Sequence, residues 1–161
     1  MPERLVFWLA TSGNVLDLAG MLLFDLWTSN TDAREVLFFR KADERTMRAH
    51  MVDSGQCFEG PEWAFRAACR TISHPNPHYF SWIDDVSCFN LWLSGIEQTN
   101  VSLILNAWRA VPPDRDLPAL KEWLWRLDVR RQTPRRELEL LREDRPSAFP
   151  FWRTGADSCG I

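Results

Sequence analysis

Asn30, Asp32 and Asp53 are of the residue types, and in the order along the chain, that phosphoryl-transfer chemistry uses. Asn30 and Asp32 belong to the corner Ser29-Asn30-Thr31-Asp32, where a wholly apolar segment gives way to strand formers. Asp53 opens Asp53-Ser54-Gly55, at the end of a second strand-like run. One carboxylate to orient a hydroxyl proton and another to hold a cation must be close but differently placed, because this chemistry depends mostly on positioning and charge neutralisation. The same letters are also ordinary turn chemistry: Asn and Asp bond nearby backbone amides, and Gly supplies positive φ. The scaffold around them has to separate the two readings.

Residues from about Val15 to Thr28 are apolar on nearly every side, as in a helix buried all round. The turn formers Thr28-Ser29-Asn30 end it. "EVLFFR" and "TMRAHMVD" then carry aromatic, β-branched or alternating residues around the polar "KADER", which predicts a hairpin running into Asp53. From Gln56 to Tyr79, Gly60, Pro61, Pro75 and Pro77 break up scattered aromatics, leaving room for one brief helix near Pro61 to Thr71. Helices follow: one with Ser87 as N-cap, "VSLILNAWRAV" stopped by Pro112 and Pro113, and one with an inward stripe of Leu117, Leu120, Leu124 and Leu127. A last helix, "RRELELLRED", starts with Thr133 as N-cap and Pro134 at its first position. The tail from Ser147 to Ile161 has no periodicity and is expected to be loosely held. The chain therefore reads as mainly α with a small β-hairpin, an α+β fold in a single domain over 1–161.

At 161 residues and 45% hydrophobic, the chain has enough apolar surface for one substantial core. A net charge of -3 argues against nucleic acid as the main partner, and the basic cluster near Arg130 to Arg136 is interleaved with acids like a solvated helix face. Cys57, Cys69, Cys88 and Cys159 form no C-x-x-C pair and read as reduced thiols in a cytoplasmic protein. The His74–His78 gap suits zinc, but Pro75 and Pro77 forbid the helix that would aim both rings together. The most apolar helix is shorter than a bilayer requires and carries Asp17 and Asp25, so no membrane is expected. Trp8, Trp27, Trp63, Trp82, Trp92, Trp123 and Trp125 fall where a core or an interface would place them.

"FDLWTSNTDAREVLFF" followed by "MVDSGQCFEGPEWAF" resembles the C-terminal lobe of the HipA-like serine/threonine kinases, a bacterial family with toxin–antitoxin members. The motifs cover about Leu16 to Phe65, and the later helices follow by general pattern. The resemblance implies a kinase-like lobe in which Asp32 is the catalytic aspartate, Asn30 braces the loop and Asp53 is the Mg²⁺ ligand. It also assigns Arg34 and Gly55 to the cofactor site, with Gly55 turning the backbone after the ligand. Better known members have His two residues after the catalytic aspartate and a metal-binding Asn five residues after it; here these places hold Arg34 and Leu37. Leucine cannot bind a metal, which leaves Glu35 as the substitute ligand.

ATP and Mg²⁺ are the implied cofactors, and a protein hydroxyl is the implied acceptor. The N-terminal ATP-binding lobe is expected to be absent from this chain: no glycine-rich loop and no lysine precede Asn30, and Lys41 and Lys121 are the only lysines. The expected partner is that missing lobe or another protein, and an unpaired lobe surface favours homo-oligomers. The alternative is a catalytically inactive kinase-like module acting by interaction or regulation.

Overall fold

The computed structural model describes residues 12–30, 35–52, 57–59, 77–110 and 120–153. Its centre is α1, Leu16–Thr28, whose Leu18, Ala19, Leu22, Leu23 and Leu26 are all buried. Each buried leucine contributes about 1.5–3 kcal/mol by leaving water. The helix ends in a Schellman motif. Ser29 takes the left-handed conformation (φ 52°, ψ 48°), and the Asn30 amide donates to the Asp25 carbonyl at 2.9 Å. Glycine usually fills that place, since it alone enters the left-handed region without a Cβ penalty.

Strands β1, Glu35–Phe39, and β2, Arg48–Val52, pair antiparallel in a two-stranded sheet, with Glu35 opposite Val52 and Phe39 opposite Arg48. Alternation decides the faces: Val36, Phe38, Ala49 and Met51 pack on the core beside α1, and Leu37 and Phe39 point outward. Asn14 ties the sheet to the start of α1, accepting from the Ala49 amide at 2.8 Å and donating to the Ala49 carbonyl at 2.9 Å.

A 3₁₀ turn at Cys57–Glu59 and a one-turn helix α2, Pro77–Phe80, come next. Then follow α3 (Asn90–Glu97), α4 (Val101–Arg109), α5 (Leu120–Arg130) and α6 (Pro134–Asp144). The α1 helix packs against β2, α2, α3, α5 and α6, which makes it the axle of the fold. Ile104 and Leu127 form a second, smaller core with Trp27, Phe58 and Leu124. The expected helix near Pro61 to Thr71 lies outside the described residues, as does Leu117 of the inward stripe.

Three expectations are corrected. Ser87 is not an N-cap: a 3₁₀ turn, Val86–Phe89, precedes α3, and Asp85 caps it by accepting from the Ser87 amide at 2.5 Å. Pro134 does begin α6, but Thr133 makes no capping bond to the helix amides and points its hydroxyl at Arg130 and Glu137. The start of the tail is held, not loose. Ala148 and Phe149 are buried, and Trp152 stacks on Phe89 with ring centroids 5.6 Å apart, because aromatic burial needs no periodicity. Trp125, expected in a core or at an interface, is 64% exposed on α5 and so is no part of the core.

Candidate functional site

The helix end and the hairpin place the corner. Asn30 has no exposed surface, and its Nδ2 donates to the Asp25 Oδ1 at 3.0 Å. Asp25 is a buried carboxylate among the leucines of α1, so this bond answers a desolvation cost that would otherwise be large. Thr28 sends its hydroxyl back to the Phe24 carbonyl at 2.8 Å, whereas the buried Ser29 Oγ has no partner among the described residues. Asn30 thus faces inward, tied back to α1.

The last carbonyls of α1 are gripped from the far end of the chain. Arg130 Nε donates to the Trp27 carbonyl at 2.8 Å and its Nη2 to the Leu26 carbonyl at 2.6 Å. A cation there meets both the unsatisfied carbonyls and the negative end of the helix dipole. Nη2 also pairs with Glu137 Oε2 at 3.3 Å, both side chains being largely buried. Burial pushes the Glu137 carboxyl above the usual range, opposed by Arg130 and by the Thr133 hydroxyl. Thr133 Oγ1 lies 2.9 Å from the Arg130 carbonyl and 3.0 Å from Glu137 Oε1, but a hydroxyl has one proton to give. The hydroxyl therefore donates to the carboxylate or to the carbonyl, one at a time. Trp27 completes the clamp, its Nε1 donating to the Leu127 carbonyl at 3.1 Å.

Of the sequence-derived site residues, Asp32, Arg34, Asp53 and Gly55 lie outside the described residues. Glu35 opens β1 and is exposed on the outer face, opposite Val52. Its charge, after burial, is the second cause that raises the Tyr79 phenol. Leu37 is 53% exposed two residues further along the same face.

Sequence reasoning missed the Asp25–Asn30 pair and the Arg130–Glu137 clamp. A carboxylate in the last turns of an apolar helix, five residues before an asparagine, signals the first; nothing local signals the second. It also missed Asp84, Asp85 and Cys88, whose ligand atoms lie within 4.8 Å of one another. That trio is poor metal chemistry. Asp85 already caps a turn, and burial raises the Cys88 thiol, disfavouring the thiolate a metal needs.

Among the described residues no helix is long and apolar enough to cross a membrane. Comparison with protein-family models, with curated proteins and with solved structures finds no match.

Proposed function

We propose that this chain is the C-terminal lobe of a phosphotransferase of the HipA-like kind, transferring the γ-phosphoryl group of ATP to a protein hydroxyl. An ATP-binding lobe would come from further upstream in the same polypeptide or from another chain. The observation that carries the reading is the hairpin register. Glu35 opposite Val52 makes the segments bearing Asp32 and Asp53 leave the sheet at the same end, from Cα positions about 4.5–5.5 Å apart. Asp32 is three residues from that end and Asp53 one. On the other side the corner is anchored by Ser29 and Asn30, which the Schellman motif and Asp25 hold in place. In this reading Asp32 orients the acceptor hydroxyl, Asp53 holds Mg²⁺ on the phosphates and Gly55 lets the backbone turn away. Arg34 reaches the nucleotide, and Glu35 is the carboxylate nearest the second metal position. The Mg²⁺ neutralises charge on the transferring phosphoryl when bound.

Melting curves with and without Mg²⁺ or Mn²⁺, for the parent and Asp53→Asn, test the assignment without any second lobe. A metal at ten times its dissociation constant adds about 1.4 kcal/mol, or roughly 3–6 °C for a chain of this size. The parent is expected to show that rise and Asp53→Asn to lack it. Equal responses, or none in either protein, would leave Asp53 as a turn residue.

The second reading is a non-catalytic interaction module. Leu37 stands at the second metal position and, with Phe39 at 43% exposure, places two large apolar side chains on the outer face of the hairpin among Glu35, Arg48 and His50. Turnover by the chain once an ATP-binding lobe is supplied would exclude it.

A further inference from the structure

At the end of α1 opposite the corner, a cleft of about 380 Å³ opens between the first half of α1, β2 and α3. That size is within the ~300–1,000 Å³ typical of small-molecule sites. Asp17, where the charge of the cleft lies, is 13 residues before Asn30, about 20 Å at the helical rise, while the lining runs along β2 as far as Met51, two residues before Asp53.

The cleft is built from a glycine and a tryptophan. A Cβ on Gly20 would lie 2.5–2.8 Å from three carbons of the Trp92 ring, so only glycine lets that ring rest on the helix. Trp92 Nε1 donates to the Leu16 carbonyl at 3.1 Å, which fixes the ring plane. Phe24, Met21 and Met51 add an aromatic ring and two polarisable thioethers to the lining. Charge enters through Asp17. Its Oδ2 accepts from Asn14 Nδ2 at 2.8 Å, and Asn14 is itself locked to Ala49 of β2, so the carboxylate is held at the rim. The other Asp17 oxygen has no partner among the described residues. Among the described residues no arginine or lysine lines the cleft, and His50 is the one other ionisable group there.

We propose that this cleft binds a small organic cation of the aryl-alkylammonium class, its ammonium group on the open Asp17 oxygen and its apolar body against Trp92, Phe24 and the methionines. The charge pattern selects the class. A carboxylate with no opposing base attracts a cation and repels an anion, and indole is the best of the aromatic side chains at holding a cation over its face. An ammonium on a carboxylate also makes a charge-assisted hydrogen bond, which a neutral ligand of the same shape does not.

The test uses three probes of one shape: phenethylamine, 2-phenylethanol and phenylacetate, titrated by calorimetry and ligand-observed NMR at pH 8, above the range in which imidazoles ordinarily charge. Phenethylamine is expected to saturate in the low millimolar range or tighter, about tenfold below 2-phenylethanol, with phenylacetate weakest. Asp17→Asn, an exposed substitution whose folding a melting curve verifies, is expected to bring phenethylamine to the level of the alcohol. Met21→Trp, which fills the cleft from α1, is expected to weaken amine and alcohol alike. The proposal is overturned if phenethylamine does not saturate, if the three probes bind equally, or if folded Asp17→Asn keeps the preference for the amine.

Discussion

Arg130→Met removes a guanidinium that holds two helix carbonyls and one buried carboxylate, while keeping most of the apolar stem that packs beneath it. Breaking a buried ion pair from one side costs about 3–5 kcal/mol, because the other charge stays behind without its partner. The Arg130 and Glu137 side chains retain 12% and 16% exposure, so water relieves part of that cost and the lower end, about 3 kcal/mol, applies. At roughly 2–4 °C per kcal/mol for a chain of this length, the melting temperature should fall by about 6–12 °C. The loss must also depend on pH. Glu137 is raised above its unfolded value mainly by burial, so its protonated form favours the fold; that contribution is complete below the unfolded pKa and is lost as pH rises through the folded one. Without Arg130 the carboxyl rises further, so the deficit of the variant should be larger at pH 7 than at pH 5. Urea denaturation at the two pH values measures both effects, and Glu137→Gln in the Arg130→Met background should recover much of the stability at pH 7 and little at pH 5. A loss below about 1 kcal/mol, equal at both pH values, is what a solvent-screened pair would give and would refute the clamp.

Ser29→Gly should raise the melting temperature by about 2–4 °C, since glycine relieves a left-handed residue and removes a buried hydroxyl with no partner among the described residues; Ser29→Ala, which keeps the Cβ, should gain less. Gly20→Ala should cost about 1–3 kcal/mol in denaturant titration as the new methyl drives Trp92 off α1, with a red shift in tryptophan emission as the ring meets water. Once an ATP-binding lobe is supplied, Asp32→Ala should lower turnover by about 10²-fold or more with little change in nucleotide affinity; unchanged turnover in a radiolabelled phosphate-transfer assay would remove Asp32 from the reaction.

The α1 helix, its stop at Thr28 and the hairpin after it were legible because each rests on a local rule: apolar continuity over 13 residues, a cluster of turn formers, and alternation around a polar connection. Pro134 likewise marked the start of α6 through its own fixed φ. Errors came where a competing partner, near or far along the chain, took the group that a local rule assigned. Thr133 has the right type for an N-cap, yet its hydroxyl is taken up by Arg130 and Glu137. Phe149 and Trp152 lie in a stretch without periodicity, and are held by Phe80 and Phe89 from far earlier in the chain.

Residue order by itself determined α1, the hairpin and the start of α6, because backbone preference and side-chain period act over a few neighbouring residues. Tertiary structure alone decided which distant groups meet away from water: Arg130 with carbonyls more than 100 positions away, and Trp92 on the bare face of Gly20. Such pairings depend on how whole elements pack. A buried charge or a close ring contact is settled by the nearest atoms in space, whatever their distance along the chain.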